Sequence, residues 1–256
     1  MMGSSRWRRA ASAALLLAAT PGTLRAQESA REIVDRVDRL LRGQSSHGIA
    51  TMDVVTAHWT RTLKLEIWSL GTEYSLVRVL APEKEKGTAT LKANDQIWNY
   101  LPRVDRTIKI PPSLMMGSWM GSHFTNDDLV KESRMIEDYD IEISFEGLRD
   151  TTEVWEFTLT PKPDAAVVWG RIVEQVRKVD LMPVWARYYD DRGDLARTLT
   201  FDDYRTMGGR LIPAQLTMRP ADKPDEYTRI RYEELEFDIG IDPSFFSLQR
   251  LRTASR

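Results

Sequence analysis

From about His47 to the run "YTRIRYEELEFD", apolar and polar residues change places at a period of two, and short clusters of Gly, Asn, Asp and Pro cut the pattern into segments. In "TLKLEIWSL", Leu63, Leu65 and Ile67 share one face and Lys64 and Glu66 the other. That is the signature of a strand with one dry and one wet side. The same rhythm returns in "TATLK", "QIWNYLP", "RTIKIP", "EVWEFTLTP", "VVWGRIVEQVRKV", "PVWARYYD", "LARTLTFDDY", "RLIPAQLTMRP" and "YTRIRYEELEFD". About ten antiparallel strands are expected, joined by turns such as "AND", "DRGD" and "MGG". A sheet of this many strands curls or closes, and past about eight strands its own side chains no longer fill the interior.

Two segments can fill it. "ESAREIVDRVDRLLRG" sets Ile33, Val34, Val37, Leu40 and Leu41 at helical spacing, with Gly43 as its stop. The other is "MMGSWMGSHF", residues 115–124, which holds no Asp, Glu, Lys or Arg in a chain that is 29% charged. Advanced by ~100° per residue, Met115, Met116, Trp119, Met120, His123 and Phe124 fall on one half of a helix and Gly117, Ser118, Gly121 and Ser122 on the other. Two glycines cost such a helix roughly 1 kcal/mol each, so the segment is expected to owe its order to what its apolar face touches. A Met and aromatic stripe can be ordinary core. Met is also pliable and polarisable, which suits a lid over a hydrophobic cavity. "TNDDL" then reads as an N-cap followed by acids in a first helical turn.

The N-terminus reads as an export signal. Arg6, Arg8 and Arg9 precede the apolar run 10–19, and "TLRA" ending at Ala26 is a small-residue cleavage site. The expected layout is a signal peptide over 1–26 and one domain over 27–256, with the product in the periplasm. The apolar run is half the ~20 residues of a membrane span, and no later run reaches that length. There is no Cys, so disulfides, thiolate metal sites, a cysteine nucleophile and a lipidated N-terminal Cys drop out. Residues 1–26 carry four arginines and no acid, so 36 basic residues less four leaves 32 against 38 acidic ones. That balance gives no ground for nucleic-acid binding.

The chemistry-bearing patterns lead nowhere catalytic. His47, His58 and His123 are scattered, without HxH or HExxH spacing. "GSWMG" puts its serine one place too early for a nucleophile elbow, and no phosphate-binding loop is present. The adjacent acids Asp127-Asp128, Asp190-Asp191 and Asp202-Asp203 sit at turns or helix starts, where turn chemistry accounts for them. Neither metal nor cofactor is expected, and the chain does not read as an enzyme.

The stretches "VLAPEKEKGTATLK", "IWNYLPRVDRTIKIPPSLMMGSWMGSHFTNDDLV" and "YYDDRGDLARTLTFDDY", with the following "GGRLIPAQLTMRP", resemble the bacterial outer-membrane lipoprotein-sorting protein family. That family is related in fold to the periplasmic lipoprotein carrier LolA, and the resemblance runs from about Ile33 to Leu251. It implies an α+β fold, mainly β: an incomplete antiparallel barrel closed by the N-terminal helix and the central lid. It also implies a non-enzymatic carrier or chaperone that holds acyl chains of a lipoprotein or lipid, with an inner-membrane transporter as a potential donor and only peripheral membrane contact. The residues expected to line lid and cavity are Leu114, Met115, Met116, Trp119, Met120 and Phe124, together with Trp98 and Tyr100. The competing reading is an accessory subunit that docks on a membrane transport or efflux complex, its apolar block serving as a protein contact.

Overall fold

The computed structural model describes residues 28–131, 135–165 and 167–253; the expected signal peptide lies outside the described residues. Helix α1 (Ala30–Arg42) opens it, followed by β1 (Ser45–Val55), β2 (Thr60–Leu70), β3 (Tyr74–Ala81), β4 (Ala89–Ala93), β5 (Gln96–Leu101) and β6 (Arg106–Lys109). A long crossing segment with the short helices α2 (Asp128–Lys131) and α3 (Met135–Asp138) leads to β7 (Tyr139–Arg149). Then come β8 (Thr152–Pro161), β9 (Arg171–Arg177), β10 (Pro183–Tyr189), β11 (Leu195–Met207), β12 (Arg210–Pro220), β13 (Tyr227–Phe237) and the terminal helix α4 (Leu248–Thr253).

All thirteen strands form one sheet in the order β6-β5-β4-β3-β2-β1-β13-β12-β11-β10-β9-β8-β7. Every pairing is antiparallel. The sheet is open, because β6 and β7 are its two edges and do not pair with each other. The strands beyond the expected ten are β1, β3 and β7. Turn chemistry sets the register locally. Between β11 and β12 a two-residue turn is made by Gly208 and Gly209, with φ of 55° and 78°, the left-handed pair that a tight hairpin needs. At the β1–β13 seam the register shifts by one residue after Ile49. A Cβ on Gly48 would stand 2.9 Å from the Glu234 carbonyl oxygen, so the bulge needs a bare backbone there.

Strand alternation gives the sheet two faces with separate cores. The concave face gathers Met52, Val54, Leu63, Leu65, Val77, Phe157, Leu159, Ile172, Leu199 and Met218. Helix α1 lies on it through Ile33, Val34 and Val37, each worth about 1.5–3 kcal/mol when fully buried. Ser29 and Glu32 cap its start reciprocally, and the Gly43 N–H closes its end on the Arg39 carbonyl at 3.0 Å. The convex face carries a smaller cluster of Trp68, Leu76, Leu91 and Tyr100, roofed by Phe246 and by Leu251 of α4. Arg78 stacks on Trp68 at 4.8 Å there and pairs with Glu66 at 3.2 Å.

Candidate functional site

The register divides the concave face into two ends. On β1, Ser46, Gly48, Ala50, Met52 and Val54 look inward, opposite Ser69, Ile67, Leu65, Leu63 and Arg61 of β2. The chain leaving β6 crosses back over the end that holds Met52, Val54 and Arg61, and this strap occupies residues 110–127. The far end, at Ser46 and Ser69, is roofed by α1.

The expected helix over 115–124 is not what forms. The strap contains a 3-10 turn at Trp119–Gly121, with Met120 in the left-handed region at φ 49° and Gly121 at φ 69°. The Ser118 hydroxyl donates to the Ser122 carbonyl and the Ser122 hydroxyl to the Trp119 carbonyl. Small polar side chains that bond the local backbone favour turns over helix, and that competition decides the conformation. Ser118 and Thr125 then bridge as in a hairpin, with the Trp119 N–H on the Phe124 carbonyl at 2.8 Å.

The strap is tied down along its length. Trp119 is 4% exposed, and its indole N–H donates to the Thr90 hydroxyl of β4 at 3.1 Å. Phe124 is also buried in the concave core. An Arg61 guanidinium N–H reaches the Met120 carbonyl at 3.1 Å. The His123 backbone N–H donates to the Thr228 hydroxyl at 2.9 Å, and the ring contacts Thr228 at 2.9 Å and Glu226 at 3.2 Å. "TNDDL" behaves as its sequence suggests: the Asp128 N–H bonds the Thr125 hydroxyl while the Asp128 carboxylate accepts from the Thr125 N–H. The same carboxylate forms a buried two-pronged pair with Arg197 of β11, at 2.5 and 2.7 Å. The Arg197 guanidinium is sandwiched between Trp169 and Tyr188, 4.4 Å from each ring centre.

A cavity of about 320 Å³ opens under α1 at the other end. Its apolar walls are Val34, Val37 and Leu41 of the helix and Ile67, Ala186, Leu199, Phe201, Ile212 and Leu216 of the sheet. Polar groups gather at Asp38, Arg42, Ser46, Ser69 and Glu174. Asp38 and Arg42 pair across one helical turn at 2.7 Å, and Glu174 is buried.

The residues expected to line lid and cavity are thus dispersed. Trp119 and Phe124 are core, with Met120 packed against them. Met115 is half-buried, whereas Leu114 and Met116 stand exposed. Trp98 and Tyr100 lie on the convex face with the second cluster, because Trp98 pairs opposite Leu91 and Tyr100 opposite Ala89. Alternation puts Trp98 and Tyr100 on one side of β5, and only the pairing of the neighbouring strands says which side that is. The cavity residues of β10–β12 carry no signal beyond that same alternation.

Among the described residues, Thr228–His123–Glu226 imitates a catalytic relay. Thr228 has no solvent exposure, and its oxygen already accepts the His123 N–H. Its hydroxyl therefore cannot meet a substrate, and the trio acts as an anchor. His47 sits on the convex face, stacked on Trp68 at 5.1 Å and bonded to Glu66. Among the described residues no group of three His, Cys, Asp or Glu could hold a metal ion. Burial, with Asp127 and Asp138 nearby, pushes the Tyr139 phenol far above its ordinary value, so it stays a neutral core ring.

The architecture has clear likenesses among solved structures. A DUF1329-family protein from Desulfovibrio piger superposes with a TM-score of 0.78 at 24% identity, over 87% of this chain and 97% of that one. A domain described as an outer membrane lipoprotein-sorting protein, from Vibrio parahaemolyticus, gives 0.76 at 22% identity, over 87% and 98%. The LolA superfamily protein NE2245 from Nitrosomonas europaea gives 0.73 at 19% identity, over 88% and 100%. At these identities the likeness establishes the fold alone, an open antiparallel sheet with flanking helices. No curated protein matches the chain. A family model described as "uncharacterized protein" matches residues 71–253, from the β2–β3 turn to the end of α4, and the chain belongs to that family.

Proposed function

We propose that this protein is a non-enzymatic periplasmic carrier that holds an acyl chain of a lipoprotein or lipid against its concave face, in outer-membrane lipoprotein sorting. The observation that carries the reading is the apolar cavity of about 320 Å³ between α1 and the sheet. That volume lies at the lower end of ordinary small-ligand pockets, about 300–1,000 Å³. A buried CH₂ contributes about 0.8 kcal/mol, so an apolar space roofed by a displaceable helix favours a chain-like hydrophobic guest. In this reading α1 is the movable wall, and Met115, Trp119, Met120 and Phe124 bound the same concave space at its fixed end. Removal of residues 1–26 would deliver residues 27–256 to the periplasm as one unit. Support comes from the fold shared with the lipoprotein-sorting domain and the LolA superfamily protein.

Titration with a fluorescent fatty acid, beside mass spectrometry of lipid extracted from the native protein, tests the reading. Saturable binding that protects α1 amides from hydrogen exchange is the expected result. A protein that takes up no probe and carries no lipid would refute it.

A further inference from the structure

Ten large hydrophobic side chains stand exposed among the described residues, and five of them, Leu101, Val104, Ile108, Leu114 and Met116, fall within positions 101–116. This run is the outermost hairpin of the sheet, with β6 as a free edge, continued by the foot of the strap. By register, Leu101 faces the same side as Arg106, and Ile108 the same side as Asn99, which is the side the strap crosses. Val104 is at the tip of the hairpin.

The same run carries Arg103, Arg106 and Lys109, all exposed. Among the described residues none of the three has a carboxylate partner, whereas Arg39 of α1, Arg177 of β9 and Arg210 of β12 each pair with an aspartate. Its one acid, Asp105, accepts the Tyr100 hydroxyl. A locally cationic, apolar edge therefore projects from a chain whose formal charge is −2.

We propose that this edge is a membrane-docking surface, which seats Val104, Ile108, Leu114 and Met116 in the interface of an anionic lipid bilayer while Arg103 and Arg106 meet its phosphates and Lys109, over the Trp98 ring on the other side of β6, adds to the positive charge of the edge. Apolar side chains that reach into the headgroup boundary, beside basic side chains long enough to stay at the charged surface, are the two components such binding requires. A partner protein adding a strand to β6 fits less well. The strand is four residues long, and Pro111 and Pro112 follow it with no N–H to offer. The inference stands apart from the acyl reading, because none of these residues lines the cavity.

The test is co-sedimentation with vesicles of phosphatidylcholine alone and of phosphatidylcholine mixed with phosphatidylglycerol in equal parts. Each cation near an anionic surface is worth about fivefold in partition, so the mixed vesicles should bind at least tenfold better, less so in high salt. Arg103→Glu/Arg106→Glu and Val104→Asp/Leu114→Asp should each lower that binding at least tenfold, with fatty-acid binding and melting temperature unchanged. Val179→Asp, at an exposed apolar position on another turn, is the control that leaves it intact. Should the apolar double variant lose stability, Val104→Asp alone carries the test. Equal binding to both vesicles, or wild-type binding by either double variant, overturns the proposal. Loss on charge reversal alone would mean electrostatic adsorption without insertion of the apolar side chains, which overturns it as well.

Discussion

The two ends of the concave face are closed by opposite means. The strap is fastened by directional bonds: an indole N–H, a guanidinium on a backbone carbonyl, a histidine on a threonine and glutamate, and the buried Asp128–Arg197 pair. Helix α1 is held mostly through its apolar stripe. Its ion pairs Arg36–Glu28, Arg39–Asp35 and Arg42–Asp38 are local to the helix and the residues just before it, and bonds to the sheet side gather at its C-terminal end, where Arg210 reaches the Leu40 carbonyl and, just past the helix, Asp238 receives the Gln44 N–H. Directional bonds are costly to break and leave unsatisfied groups behind. An apolar contact can be traded for another apolar surface at little cost, and the cavity lies under the element held that way.

Breaking the strap should have the largest effects. Arg197→Ala leaves the Asp128 carboxylate buried without its partner and should cost about 3–5 kcal/mol in denaturant unfolding. A loss below ~1 kcal/mol would mean that the strap is not anchored there. Trp119→Ala removes a buried ring and the bond to Thr90 and should cost about 3–4 kcal/mol by the same measurement. At the other end Ala186→Phe fills the cavity under α1. It should weaken fatty-acid binding at least tenfold while shifting stability by no more than about 1–2 kcal/mol. If binding survives, the guest lies elsewhere.

Two smaller changes sharpen the contrast. Ser29→Ala removes the cap of α1, worth about 1 kcal/mol. Hydrogen exchange of α1 amides should accelerate about fivefold while that of the strap stays as it was. The smallest effect concerns Glu226, whose carboxyl is held below the ordinary glutamate range first by the Ala57 N–H and then by His123. A pKa lowered in the folded state means a contribution present above the unfolded value of about 4.3 and lost as pH falls through the folded one. Glu226→Gln should therefore make the melting temperature fall less steeply between about pH 5 and pH 3. An unchanged slope would remove Glu226 from the strap's anchorage.

What the sequence made visible follows from how local each signal is. Helix α1, its Gly43 stop and ten strands are legible from periodicity and turn residues alone. Strand β3 hides because "LVRV" is buried on both faces and shows no alternation. Strand β1 is diluted by Gly48 and Ala50. Strand β7 does alternate in "YDIEISFEG", but the helix-start signals just before it draw the eye away. The strap's importance shows in its composition, yet its conformation depends on Thr90, Thr228 and Arg197, which stand in three other strands. Alternation in "LARTLTF" sets Arg197 on the face of Leu199 and Phe201, but nothing in that stretch names the carboxylate of Asp128 that pairs with it there. The cavity was the least legible feature, since it is a space left between elements and no residue encodes it.

Of the twelve strand pairings, only β1 with β13 joins segments that are not sequence neighbours. Eleven hairpin contacts can close short loops independently, so β1–β6 and β7–β13 can each zip from within, at low loop-closure cost. The seam must instead bring together residues as distant as Ser46 and Phe237. Meanwhile the strap already links the outer strands β6 and β7 from birth on the ribosome. The two half-sheets thus begin as a hinged pair with the joint at the wrong edge. Assembly consists of swinging that pair shut until the first and last strands meet, and this docking is the step on which folding speed should depend.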